Sequence, residues 1–103
     1  MKHVIDHDLD PATAKTVTDR AFAEYRARYP AYEPSLRWID DRRADVTFNA
    51  KGVRLDGSMT IAARTITLDL DVPFLFRIFQ KAAVEVIDRE VKLWIGKAKR
   101  GEL

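Results

Sequence analysis

A chain of 103 residues, 47% hydrophobic and 33% charged, is ordinary material for one globular domain and excludes a disordered or membrane-spanning chain. The net charge of +2 is dispersed among acidic neighbours, so nucleic acid is not implied. The absence of cysteine removes disulfides, thiolate nucleophiles and cysteine-ligated zinc together.

Along the chain, Lys2 to His7 is a short strand candidate, with Val4 set between polar neighbours and Ile5 following it. Asp10 then offers a side-chain oxygen at a helix N-cap, and Pro11 occupies the position where a missing N–H costs nothing. The helix runs to about Tyr29, with Ala14, Val17, Ala21 and Tyr25 recurring at steps of three and four as one apolar stripe. Lys15, Asp19, Arg20 and Arg26 face water. Pro30 and Pro34 stop it.

From Leu36 the period changes to two. Leu36 and Trp38, then Val46, Phe48 and Ala50, then Leu55, Gly57, Met59 and Ile61, then Ile66, Leu68, Leu70 and Val72 alternate with polar residues, giving four half-buried antiparallel strands. Turns fall at Asp40–Arg43, Ala50–Val53 and Ala62–Thr65. A two-residue loop at Ala63 and Arg64 pairs Met59 with Leu68 and Ile61 with Ile66 on the inner face, and Thr60 with Thr67 outside. It also sets Gly57 opposite Leu70, and a glycine inside a strand marks a bulge or a close approach.

Pro73 opens a second helix. Leu75, Phe76, Phe79, Ala82, Ala83, Val86, Ile87, Leu93 and Trp94 form its broad core face on a helical wheel. A second stripe carries Val84, Val91, Ile95 and Ala98, and Phe74 with Ile78 lies on yet another side. A helix from Phe74 to Lys99 runs about 39 Å, whereas strands of about seven residues cover only about 23 Å, so roughly 15 Å is expected to project. The expected projecting part is the C-terminal one, bearing Trp94, Ile95 and the cations Lys92, Lys97, Lys99 and Arg100, which the helix dipole favours there. Phe74, Ile78, Val84, Val91, Trp94 and Ile95 are therefore the expected partner-binding or apolar-surface-binding residues, and a homodimer is expected.

The fold expected is a single α+β domain over 1–103 in the order β-α-β-β-β-β-α, with one sheet face covered by helices in a small helix-grip-like arrangement and a frayed basic tail over 96–103. The N-terminal MKHVIDHDLD lacks the apolar run of a signal peptide, and no window approaches the roughly 18 apolar residues of a transmembrane span, so a cytoplasmic protein is expected.

Candidate chemistry is sparse. His3 and His7 lie about 13 Å apart on an extended strand, too far to share one zinc ion, and no metal or cofactor site is expected. Asp56, Asp69 and Asp71 share a strand face rich in Ser and Thr that water screens. Ser35 and Ser58 lie in no nucleophile elbow, and KGVRLDG lacks the hydroxyl residue after lysine that a phosphate loop needs. No catalytic residue is assigned, and no enzyme is expected.

Glu90 stands out, since it falls on the apolar face of the second helix. The projecting length favours Glu90 in water; if it is buried, Arg37 or a tyrosine hydroxyl of the first helix is the candidate partner, and a small polar pocket lies there and near Gly57.

GVRLDGSMTI followed by ITLDLDVPFLFRIFQKAAVEVIDREV resembles the polyhydroxyalkanoic acid system proteins, small bacterial proteins named for their occurrence with polyester-granule genes. The likeness covers most of the chain and is carried by Gly52, Val53 and Gly57, the alternation up to Val72, the Pro73, Phe74, Leu75 helix start, and Phe79 with Lys81. Ala82 replaces a more usual glycine, and KLWIGKAKRGEL extends the helix. The resemblance implies a role in storage-polyester metabolism or granule organisation, with a polyhydroxyalkanoate granule or granule protein as partner, and no catalytic residues. The alternative is a small acyl or lipid-binding module with a cavity between the sheet and the C-terminal helix.

Overall fold

The computed structural model describes residues 1–103. The elements are β1 (Lys2–Asp6), α1 (Pro11–Arg28), β2 (Ser35–Trp38), β3 (Arg43–Ala50), β4 (Val53–Ile61), β5 (Thr65–Leu70) and α2 (Arg77–Lys99). Short 3₁₀ turns at Pro30–Tyr32 and Phe74–Phe76 precede β2 and α2. The α+β order expected from the residue pattern is the one observed, except that the turn after Pro73 is 3₁₀ rather than α.

Each element forms for a local reason. Both carboxylate oxygens of Asp10 accept from Thr13, one from its N–H at 2.9 Å and one from its hydroxyl at 2.8 Å, capping α1. Those bonds, the main-chain one foremost, hold the Asp10 carboxyl below the usual carboxylate range. The β2–β3 turn is pinned by Asp40, whose Oδ1 accepts from the N–H groups of Arg42 and Arg43. Lys51 and Gly52 both take positive φ in the β3–β4 turn, the geometry whose twist matches a tight hairpin.

The five strands form one antiparallel sheet in the order β1-β5-β4-β3-β2. The β4–β5 register pairs Met59 with Leu68, Ile61 with Ile66, Thr60 with Thr67 and Gly57 with Leu70, as the alternation predicts. Gly57 marks a close approach and not a bulge: a Cβ there would lie 2.6 Å from the Asp69 carbonyl and 3.0 Å from the Leu70 and Val46 side chains. The space beside Gly57 is already filled by its own sheet, so this position forms no pocket.

Both helices lie side by side on one face, with α1 toward β2 and β4 and α2 toward β1. Ala14, Val17, Ala21 and Tyr25 are buried as expected, joined by Phe22 and Thr18. Phe22 and Tyr25 meet Phe48 beneath α1. Burial pushes the Tyr25 phenol up to about 12. The other sheet face, with Arg43, Asp45, Asp56, Thr67 and Asp69, is polar and uncovered by either helix.

The position of α2 differs from expectation. Its inward face is Ala83, Val84, Val86, Ile87, Glu90 and Val91, so Val84 and Val91 belong to the core, not to a free second stripe. The cause is α1: α2 lies in the angle between sheet and neighbouring helix and needs apolar surface on both sides. Leu75 and Leu93, expected in the core, are exposed instead. At its C-terminal end α2 continues to Lys99. Gly101 then takes a positive φ and a turn closes with the Gly101 N–H on the Ala98 carbonyl and the Glu102 N–H on the Lys97 carbonyl.

Candidate functional site: the exposed end of the C-terminal helix

The C-terminal half of α2 is held at several points. His3 Nε2 donates to Asp88 Oδ1 at 2.7 Å, and Lys92 lies 3.1 Å from the same carboxylate. Burial pushes the Asp88 carboxyl upward, but the His3 and Lys92 contacts outweigh it and leave it below the usual range. Lys99 Nζ donates to Asp8 at 3.0 Å and holds that carboxyl low as well. The Trp94 ring lies beneath the Arg20 guanidinium and the Lys97 ammonium, 5.6 and 4.4 Å from its centroid. Trp94 and Ile95 are half-buried against the core, so neither stands on a projecting segment.

Glu90 is 1% exposed and therefore not in water. Neither Arg37 nor a tyrosine hydroxyl is its partner: Arg37 faces Asp45 across the β2–β3 pair. Arg28 of α1 is, with Nη1 3.8 Å from Oε2, and Arg89 Nε lies at 4.0 Å. The Arg28 guanidinium is held further in its charged form, first by its bond from Nε to Glu24 and then by the charge of Glu90. Glu90 Oε1 and the Trp94 indole N–H have no hydrogen-bond partner. This cluster joins the two helices.

The imidazoles of His3 and His7 are both engaged in hydrogen bonds. His3 serves Asp88, while His7 Nε2 donates to the Ala62 carbonyl and its Nδ1 accepts from the Leu9 N–H, both at 3.0 Å.

The opposite end of α2 is the free one. Phe74, Leu75 and Ile78 are 73%, 89% and 88% exposed, an arrangement a folded chain does not adopt for its own stability. Beside them Tyr32, Ala50, Leu75, Phe76, Ile78, Phe79 and Ala82 line an apolar groove of about 620 Å³ that carries one cation, Lys51. The Phe79 ring closes its floor in edge contact with Tyr32 and Phe48. Arg77 lies over the Phe74 ring at 4.5 Å, and Lys81 is exposed one turn further on, so the patch has a basic rim. Phe74 and Ile78 of the expected binding set belong to this patch. Leu75 was missed because the wheel treated the first turn as α-helical, whereas the 3₁₀ turn rotates it outward.

The molecule is thus a two-layer α+β protein with one apolar prow, set where the 3₁₀ turn enters α2. The chain belongs to the family described as "Putative polyhydroxyalkanoic acid system protein", which matches residues 4–94. No curated protein matches the chain. No helix is long and apolar enough to cross a membrane.

Proposed function

We propose that the protein works in the storage-polyester system as a surface-binding protein without catalysis of its own, associating with the granule by seating the prow of α2 on the polymer. The observation that carries this reading is the contiguous exposure of Phe74, Leu75 and Ile78 beside the apolar groove. A polyester surface is apolar and faces water, so large side chains gain by entering it while Arg77, Lys81 and Lys51 keep their charges in solvent. Burying three such side chains contributes about 5–9 kcal/mol. That is close to the cost of association, so binding is reversible.

Co-sedimentation with amorphous poly(3-hydroxybutyrate) particles tests it. The wild type is expected in the pellet, and the Phe74→Glu, Leu75→Glu, Ile78→Glu triple variant in the supernatant with an unaltered melting temperature. Equal pelleting of both would sink the reading. A second reading rests on the groove itself, which has the apolar walls and single lysine suited to a short acyl chain with an anionic head. It predicts that a groove-bound hydrophobic dye is displaced by hydroxyacyl compounds, and that Phe79→Trp weakens the displacement.

A further inference from the structure

We infer that the outer edge of β1 joins the same edge of a second copy of the chain, antiparallel and centred on Val4. β1 is the terminal strand of the sheet, so one side of it has no neighbour. The bonds from the His7 N–H to the Arg64 carbonyl and from the Leu70 N–H to the Met1 carbonyl, both 2.9 Å, set the phase of the β1–β5 ladder. Met1, His3, Ile5 and His7 therefore turn their main-chain groups toward β5, and Lys2, Val4 and Asp6 turn theirs outward.

Those three outward residues form a palindrome of charge. A twofold axis at Val4 sets Lys2 opposite Asp6 of the second copy, twice, and Val4 opposite Val4. Up to about six main-chain hydrogen bonds follow from this register. The side chains of Lys2, Val4 and Asp6 also share the helix-free face, since Ile5 between them is buried, so each Lys2 can reach the opposing carboxylate. Val4 is 54% exposed in the single chain and becomes covered by its own copy. His3, next to Val4 in β1, is bonded to Asp88 of α2. Exposed Glu85 and Lys92 lie one turn to either side of Asp88 and carry opposite charges, so an antiparallel meeting of the two α2 helices sets unlike charges together.

The other edge is built against pairing. β2 has four residues and follows Pro34, and its Trp38 is tied to α1 by the indole N–H on Asp19 at 2.7 Å and by Lys15 over the ring. Only Leu36 and Trp38 turn outward there. β1 has no proline, and its register with β5 runs unbroken from Lys2 to Asp6.

Sedimentation equilibrium on the full chain decides it. The wild type is expected to dimerise, Lys2→Asp and Asp6→Lys each to weaken the dimer at least about tenfold, and the Lys2→Asp, Asp6→Lys double variant to restore it. Both sites are exposed, and unchanged circular dichroism melts confirm that folding is intact. A wild type that stays monomeric up to about 1 mM, single reversals without effect, or a double variant that fails to recover would each overturn the inference. The Phe74→Glu, Leu75→Glu, Ile78→Glu variant is expected to remain a dimer. Its loss of polymer binding alone concerns the granule reading, whereas its loss of dimerisation would move the interface to α2 and overturn the β1 pairing.

Discussion

The two halves of α2 are written in similar residues and meet opposite surroundings. From Ala83 to Lys99 the helix is fastened on three sides, by the sheet below, by α1 through Arg28 and Arg20, and by the β1 region through His3 and Asp8. From Phe74 in the entering turn to Ala82, Phe76 and Phe79 turn inward and Gln80 donates to the Leu70 carbonyl, while Phe74, Leu75 and Ile78 are left to solvent. Apolar content alone does not make a core face; what a side chain meets is decided by elements far away in sequence. The fastened half gives the helix a fixed bearing, and the free end is thereby presented rigidly.

Truncation of paired residues should break that comparison most sharply. Ile87→Ala is expected to cost about 2–5 kcal/mol, because it opens a cavity among side chains that cannot collapse. Ile78→Ala should stay within about 0.5 kcal/mol, since the residue touches mainly water. Urea melts of the two variants check this, and equal losses would show that the free end is packed after all.

The joint between the helices gives a smaller effect of less usual sign. Replacing Glu90 by Leu is expected to leave stability unchanged or raise it by up to about 4 kcal/mol, because a buried carboxylate with one unpartnered oxygen is exchanged for apolar contact. Arg28→Ala should destabilise the wild type and have much less effect in the Glu90→Leu background. A double-mutant cycle by denaturant melts measures that difference, and additivity would show that the pair does not interact.

Acidity separates the two halves most gently. Asp88 titrates below its ordinary value of 3.8 in the folded chain, so its contribution is fully present above that value and is lost as pH falls through the folded one. Stability should therefore drop below about pH 4. The drop should be shallower in Asp88→Asn, as read from melts at pH 7 and pH 3. No such titrating contact holds the free end.

The sheet was legible in the residues because strand alternation and hairpin turns are local. Ala63 and Arg64 set the register from Gly57 to Leu70 with no help from elsewhere, and Asp10 with Pro11 marked the start of α1 equally locally. Helix length showed that α2 outruns the strands but not at which end. That offset depends on Asp8 meeting Lys99 and His3 meeting Asp88, contacts about ninety residues apart. Glu90 was misplaced for the same reason: its burial is the work of α1, whose contribution a wheel drawn for α2 alone does not contain. Phe74 and Ile78 fall off every inward stripe and are exposed as the wheel implies, whereas Val84 and Val91 are buried because α1 supplies a second inward direction that a wheel for α2 alone does not contain.

The chain has two tryptophans, and the fold sets each at a different seam of α1. Trp38 marks the joint with β2 through Asp19, and Trp94 marks the joint with α2 beneath Arg20. Both indoles thus act as built-in fluorophores for loosening of the first helix, one per flank. Trp94 lies about 30 Å along the helix axis from Phe74. Docking at the prow is accordingly silent in indole emission, and any spectral shift on adding polymer would report that the helices themselves had parted.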